Sequence, residues 1–504
     1  MPDQRHRELT RLANSVLQPG FVGTTAPDWV LRRIADGLTS VVLFGRNIQT
    51  PEQLRALTAQ LRAENPDLVI AVDEEAGDVT RLERHTGSSR PGNLALGTVD
   101  DPDLTFQVAH ELGRELRAAG VSLNYAPSAD VNSNPLNPVI GVRSFGARTE
   151  TVARHTAAWI QGLQSAGVAA CAKHFPGHGD TTVDSHHGLP RIDADAETIA
   201  RVALPPFRAA VEAGVRSVMT AHILIPAYDD TLPATLSPRI VGGLLREELA
   251  FTGLVITDAI EMGAVSELYG ITGATVRAVA AGADAVCVGG ESADESTTVA
   301  LAEALARAVQ DGTLPQERLA EASARVAEFA RWSSRLPQSG PEHGADGRDT
   351  GLAAARRAVR VHHRPDARTT LPLAGAPHVV ELAPTTHLAI DGGTPWGVAD
   401  PLRALRPDTT SVRLGESDLA HHDALDRAAL APAVGRALVV VVRDAARHAW
   451  MERALDGLVR SRPDAVVVEM GVPSDGAPAA VQLNTHGATR VCGIAAAEVL
   501  LGAV

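Results

Sequence analysis

The chain has 504 residues, more than a single hydrophobic core ordinarily serves, so two domains are expected. Its 45% apolar and 21% charged content is that of a globular protein, and a net charge of −14 argues against a protein that tracks nucleic-acid phosphates. Three widely spaced cysteines (Cys171, Cys287, Cys492) show no metal-type pairing, and the charged N-terminal segment has no apolar core. Neither a signal peptide nor a membrane span is expected, and a reduced, cytoplasmic setting fits.

In chain order, short apolar runs alternate with helical patterns up to about residue 330. The runs are SVLQPGF, residues 39–45, 68–74, 121–130, 168–175, 216–223, 254–260 and 284–290. Most are continuously apolar, as strands buried on both faces should be. TPEQLRALTAQLRAEN and DPDLTFQVAHELGRELRAAG, between early runs, open with Thr-Pro and Asp-Pro start signals. Eight such strands in alternation with helices predict an α/β fold of the (β/α)8 TIM-type barrel class over residues 1–335. A doubly wound open sheet is the alternative. It is weakened by the lack of a G-x-G-x-x-G after an early strand and of a Walker-type phosphate loop.

Residues 336–350 are rich in Gly and Pro and predict a linker. Beyond it, GLAAARRAVRV predicts a helix. Apolar runs at 378–383, 411–415, 437–444 and 465–471 predict a smaller αβα sandwich with a parallel sheet over 351–504.

In a barrel enzyme the chemistry sits at the C-terminal ends of the strands and in the loops after them. By that rule Asp73, Glu74 and Glu75 end the third strand, Lys173 and His174 the fifth, His222 the sixth and Asp258 the seventh. One of the 46 basic residues is a lysine, Lys173. Where any cation would serve, this chain uses arginine, so residue 173 calls for a compact ammonium on a thin stem. The loop that follows, KHFPGHGDTTVDSHHGLP, gathers four histidines, two aspartates and three glycines. Asp184 and His186, two apart, can pair. A carboxylate on one imidazole nitrogen fixes the tautomer and leaves the other nitrogen for proton transfer. Metal ligation and a solvated polar surface are the competing readings. The absence of an H-x-H at the first strand and of an H-E-x-x-H weighs against the first. The position directly after the only lysine weighs against the second.

The run Lys173 to Asp180, followed by Asp184-Ser185-His186, resembles the signature of glycoside hydrolase family 3, in its β-N-acetylhexosaminidase branch. VLFGRNI (42–48), AVDEEAGDVTRL (71–82), NPVIGVRSFG (137–146) and VITDAIEMGAV (255–265) are similar to further segments of that family, and RVCGIAAAEVLLG looks like the close of its two-domain members. The resemblance implies a retaining mechanism, with Asp258 as nucleophile and the Asp184–His186 pair as acid and base. Asp73, Arg81, Arg143, Lys173, His174 and His222 would hold the terminal sugar. It implies a small carbohydrate substrate, such as an N-acetylglucosaminyl conjugate of cell-wall origin, with no cofactor, metal, nucleic acid or membrane partner. Relatives of the β-glucosidase type usually take their acid from elsewhere, which the Asp-Ser-His loop argues against. Ala76 departs from the family's glycine, and alanine disfavours positive φ. His187 reads as surface polarity.

Overall fold

A computed structural model of the chain describes residues 2–185, 188–290, 292–335, 347–367, 369–385, 389–421, 423–474 and 479–503. The chain divides into two compact units. The first comprises Met1–Glu75, Pro102–Ile140 and Ala147–Ala345; the second comprises Ala76–Asp101, Gly141–Gly146 and Asp346–Val504. The second unit therefore recruits two segments that lie, in sequence, between strands of the first.

The first unit is built on eight strands: β1 (Leu17–Pro19), β2 (Ser40–Leu43), β3 (Val69–Val72), β4 (Leu123–Asn124), β5 (Ala169–Phe175), β6 (Ser217–Thr220), β7 (Leu254–Thr257) and β8 (Val286–Val288). All pairings are parallel. β2 to β7 form one sheet in chain order, and β1 pairs with β8. A parallel bridge between Ile256 and Ala285 joins β7 to β8. At the β1–β2 seam the Ser40 hydroxyl donates to the Leu17 carbonyl at 3.1 Å. The circuit is the expected barrel. Its interior holds Val42, Ala71, Leu123, Tyr125, Cys171, Met219, Ile256 and Cys287, and Phe329 and Ala330 of the helix Gln316–Arg335 pack into the same cluster. β4 is short because Pro127 follows it closely and lacks the N–H that a ladder needs.

Helix starts follow the sequence signals. Thr50 accepts from the Gln53 N–H at 3.1 Å ahead of Pro51, and Asp294 accepts from the Thr297 N–H at 2.7 Å. Asp284, just before β8, is buried and takes Arg246 at 2.5 Å, Arg318 at 2.6 Å and Arg325 at 3.1 Å. That ionic knot lies at the N-terminal end of β8.

The second unit has a six-stranded sheet of β9 (Arg360–His363), β10 (His378–Leu382), β11 (Thr410–Leu414), β12 (Leu438–Val442), β13 (Val466–Glu469) and β14 (Val481–Asn484), in the order β11-β10-β12-β13-β14-β9. β9 is antiparallel to β14, and the remaining pairs are parallel. Alternate residues feed two cores. Val379, Val439, Val441 and Val468 pack with the helix Arg490–Leu501, while Val380, Val440, Val442 and Val467 pack with the helix Ala449–Ser461. This is a sheet between two helical layers. The sequence pattern anticipates β10 to β13 but not β9 or β14. The helix expected from residue 351 begins four residues earlier, at Gly347, inside the expected linker. Residues 336–346 lie outside the described residues. No helix among those described is long and apolar enough to cross a membrane.

Candidate active site

Residues at or just past the C-terminal ends of β3, β5, β6 and β7 bring ionisable groups to that rim of the barrel. Asp73 follows β3 directly. Its neighbour Glu74 is pinned by Asn124 of β4, which accepts from the Glu74 N–H at 2.9 Å and donates to the Glu74 carbonyl at 2.8 Å. Lys173, on β5, reaches Asp73 Oδ1 at 2.5 Å and Glu75 Oε1 at 2.7 Å, with 2% of its side chain exposed. The buried ammonium serves two carboxylates as a compact point charge, a task to which a planar guanidinium is ill suited. Glu75, visible in sequence as a strand-end acid, is thereby a partner of the lysine.

The next residue, His174, presents Nδ1 to Asp130 Oδ2 at 2.7 Å, and its backbone N–H points at the same carboxylate. Asp130 also accepts the Ser128 hydroxyl at 3.0 Å and the His178 N–H at 2.6 Å. Burial alone would push this carboxyl up. The charge and hydrogen bonds of His174, together with His178, outweigh burial and hold it below the usual carboxylate range. Sequence reading passed over Asp130. Its signal was available, since it ends the fourth apolar run just as Asp73 ends the third.

The loop after β5 turns tightly. Gly177 has φ of +130°, and a Cβ on Gly179 would lie 1.7 Å from the Val131 carbonyl oxygen, so no side chain fits there. His178 is buried, and burial followed by the charge of His174 pushes its imidazole down to about 4, so the ring is neutral near pH 7. Asp184 is half-buried and Ser185 is buried, while Thr182 and Val183 between them and the glycines are exposed. His186 and His187 lie outside the described residues.

Asp258 follows β7. Its Oδ1 accepts from the Ala259 N–H at 2.8 Å, and its own N–H donates to the Thr220 carbonyl at 3.1 Å. Its negative charge acts on His178 and on Cys171 and Cys287 in the barrel interior. Glu261, three residues on, accepts from the Gly289 N–H at 3.2 Å, and burial, with the charge of Asp258 adding to it, raises its carboxyl. His222, grouped by sequence with the sugar-holding residues, is fully buried. Its Nδ1 meets Thr235 Oγ1 at 2.9 Å and its Nε2 meets the Ala259 carbonyl at 3.0 Å. The ring braces the residue after Asp258 from behind. Among the described residues, no group of three or more His, Cys, Asp or Glu is placed to hold a metal ion.

The structure thus gathers Asp73, Lys173, His174, Asp184, His222 and Asp258 in the first unit. Arg81 and Arg143 belong to the second. There, Arg81 donates to the Ala389 carbonyl at 2.9 Å, and the Arg143 carbonyl accepts from Asn93 Nδ2 at 2.7 Å. Asp78 of the same segment is buried against Arg443 at 2.6 Å and accepts from the Ala488 N–H at 2.9 Å. Ala76 adopts φ of +59°, so alanine occupies the left-handed region that glycine favours without displacing the turn from it.

Residues 28–329 match the family model for the glycosyl hydrolase family 3 N-terminal domain. Curated relatives include a beta-hexosaminidase A of Pseudoalteromonas piscicida, 37% identical over 59% of this chain and 53% of that protein. A beta-hexosaminidase of Alkalilimnicola ehrlichii is 40% identical over 49% of this chain and 72% of its own length. Among solved structures, a glycoside hydrolase family 3 beta-N-acetylglucosaminidase from Paenibacillus sp. superposes with a TM-score of 0.89 at 32% identity, covering 98% of this chain and 97% of that one.

Proposed function

The chain belongs to glycosyl hydrolase family 3, and from that premise we propose that it is a retaining, exo-acting β-N-acetylglucosaminidase. The observation that carries this reading is the shared rim on which Asp73, Lys173, His174 and Asp258 stand at the ends of β3, β5 and β7. The sugar-binding end would be the Asp73–Lys173 pair with His174, whose Nδ1 meets Asp130 at 2.7 Å. Arg81 and Arg143 join the proposal on the family resemblance.

In the first step the Asp258 carboxylate attacks the anomeric carbon. The bond to the aglycone oxygen breaks, and His186, paired with Asp184, gives that oxygen a proton. In the second step neutral His186 takes a proton from water, whose oxygen displaces Asp258 from the anomeric carbon. The configuration is retained after two inversions. His222 keeps Asp258 on its loop through Ala259. An imidazole suits both proton transfers because its unperturbed pKa lies near 6.5.

The expected substrates are N-acetylglucosaminyl conjugates such as peptidoglycan fragments, met in the cytoplasm during wall recycling. A neutral base beside the intermediate repels an anion less than a carboxylate would, so inorganic phosphate is a candidate second acceptor, yielding the sugar 1-phosphate. The test compares an aryl β-N-acetylglucosaminide with the aryl β-glucoside in wild type, Asp258→Ala and His186→Ala, with and without phosphate. Full activity of Asp258→Ala on the preferred substrate would overturn the mechanism. Products unchanged by phosphate would remove the acceptor claim alone.

A further inference from the structure

Ser185 is 2% exposed although Thr182 and Val183, just before it, are exposed. Its hydroxyl sits 3.2 Å from His178 Nε2. The direction of that bond follows from the far side of the ring. Thr181 spends its one hydroxyl proton on the His178 carbonyl at 3.0 Å and also receives Asn137 Nδ2 at 3.3 Å. It must therefore accept from His178 Nδ1, at 2.8 Å. That places the proton on Nδ1, leaves a lone pair on Nε2, and makes Ser185 the donor. The backbone of His178 is itself held by Asp130. On its other side Ser185 offers its carbonyl to the Ala264 N–H at 3.3 Å, at the start of the helix Gly263–Ala281 that follows Asp258.

A hydrogen-bonded line thus runs from Asp130 in the segment after β4, through the loop after β5, to the element after β7. The residue in its middle adjoins Asp184. Burial obliges both the Ser185 hydroxyl and the His178 ring to find partners, and Thr181 and Ser185 together fix the tautomer from the two ring nitrogens while Asp130 holds the backbone. We propose that Ser185 and His178 are positioning residues, fastening the Asp184 segment at a fixed distance from the Asp258 loop so that proton delivery and nucleophilic attack fall on the same bond. This rests on the role given to the Asp184–His186 pair above. The Asp130 carboxylate then serves both ends of the reaction, setting His174 for the sugar and His178 for the proton donor's loop.

The experiment uses two substrates that differ in their need for a proton. Phenyl N-acetyl-β-glucosaminide has a poor leaving group, whereas the 2,4-dinitrophenyl analogue departs without one. Ser185→Ala removes a single atom, and its melting temperature shows that the fold is kept. Its kcat/KM on the phenyl substrate is expected to fall about 10- to 100-fold, the range for a misplaced general acid, with little change on the dinitrophenyl substrate. In an Asp184→Ala background the same substitution should add nothing, since the serine acts through that pair. Equal losses on both substrates, or a full additional loss in the Asp184→Ala background, would overturn the proposal. If Asp184→Ala itself shows no difference between the substrates, the dyad reading fails and this inference with it. If Asp184→Ala shows the difference and Ser185→Ala does not, only the positioning role falls.

Discussion

Replacing Asp130 with asparagine preserves shape and removes one charge from a fully buried position. The carboxylate faces the His178 N–H at 2.6 Å with one oxygen and His174 Nδ1 at 2.7 Å with the other, plus the Ser128 hydroxyl at 3.0 Å. An amide has one oxygen, so it can keep one of the two strong donors and turns its NH2 toward the other. Losing a charge-assisted bond costs about 1.5–3 kcal/mol, and the donor left unsatisfied costs about 1–3 kcal/mol more, so roughly 2.5–6 kcal/mol is expected. At about 2–4 °C per kcal/mol, the melting temperature should drop by roughly 5–24 °C. Activity should fall as well, because His174 loses the group that sets its ring and a displacement of this kind costs about 10²-fold. Calorimetry and kcat/KM on an aryl N-acetylglucosaminide read the two effects. An Asp130→Asn protein that melts within about 1 °C of wild type and keeps its kcat/KM would show that Asp130 is not the hub described.

Asp284→Ala leaves Arg246, Arg318 and Arg325 facing one another around an empty position. Breaking a buried ionic group in this way costs about 3–5 kcal/mol, measurable as a lower denaturant midpoint. Gly179→Ala would drive a methyl into the Val131 carbonyl. It should displace the loop after β5 and lower kcat/KM on the phenyl substrate by at least about tenfold, and wild-type kinetics would contradict the steric argument. Glu469 is raised from 4.5 to about 7 by burial, with the charge of Asp444 adding, although three backbone N–H groups at 2.6–3.2 Å favour its ionised form. Because the folded value exceeds the unfolded one, its contribution is full below 4.5 and is lost as pH rises through 7. The loss amounts to about 3 kcal/mol, and Glu469→Gln should flatten the fall in stability between about pH 5 and about pH 8.

The barrel was legible in sequence because its strands are buried on both faces and appear as unbroken apolar runs. β10 to β13 were legible for the same reason. β9 was not: it is an antiparallel edge strand reading Arg-Val-His-His, mostly exposed, with no apolar run to reveal it. β14 is four residues with polar alternation. Lys173 stood out through composition and proves to be the cation between two acids. Asp130, His178 and Ser185 form a network whose bonds span up to 48 residues, and long-range pairing of this kind leaves no periodic trace. His222 stands just past the end of its strand, at the rim the sequence suggested, and its contacts with Thr235 and the Ala259 carbonyl, 13 and 37 residues away, are likewise invisible to periodicity.

The segment Ala76–Asp101 has a practical bearing on how this chain can be cut. A break in the polar stretch after residue 335 looks harmless on paper. It would strand Asp78, whose carboxylate is buried against Arg443 and the Ala488 N–H, on a fragment that retains neither. Anyone building a minimal catalytic fragment, or exchanging the C-terminal half with that of a relative, is dealing with three inseparable pieces of chain rather than two modules joined by a tether. A successful chimera would carry residues 76–101 and 141–146 along with their own sheet.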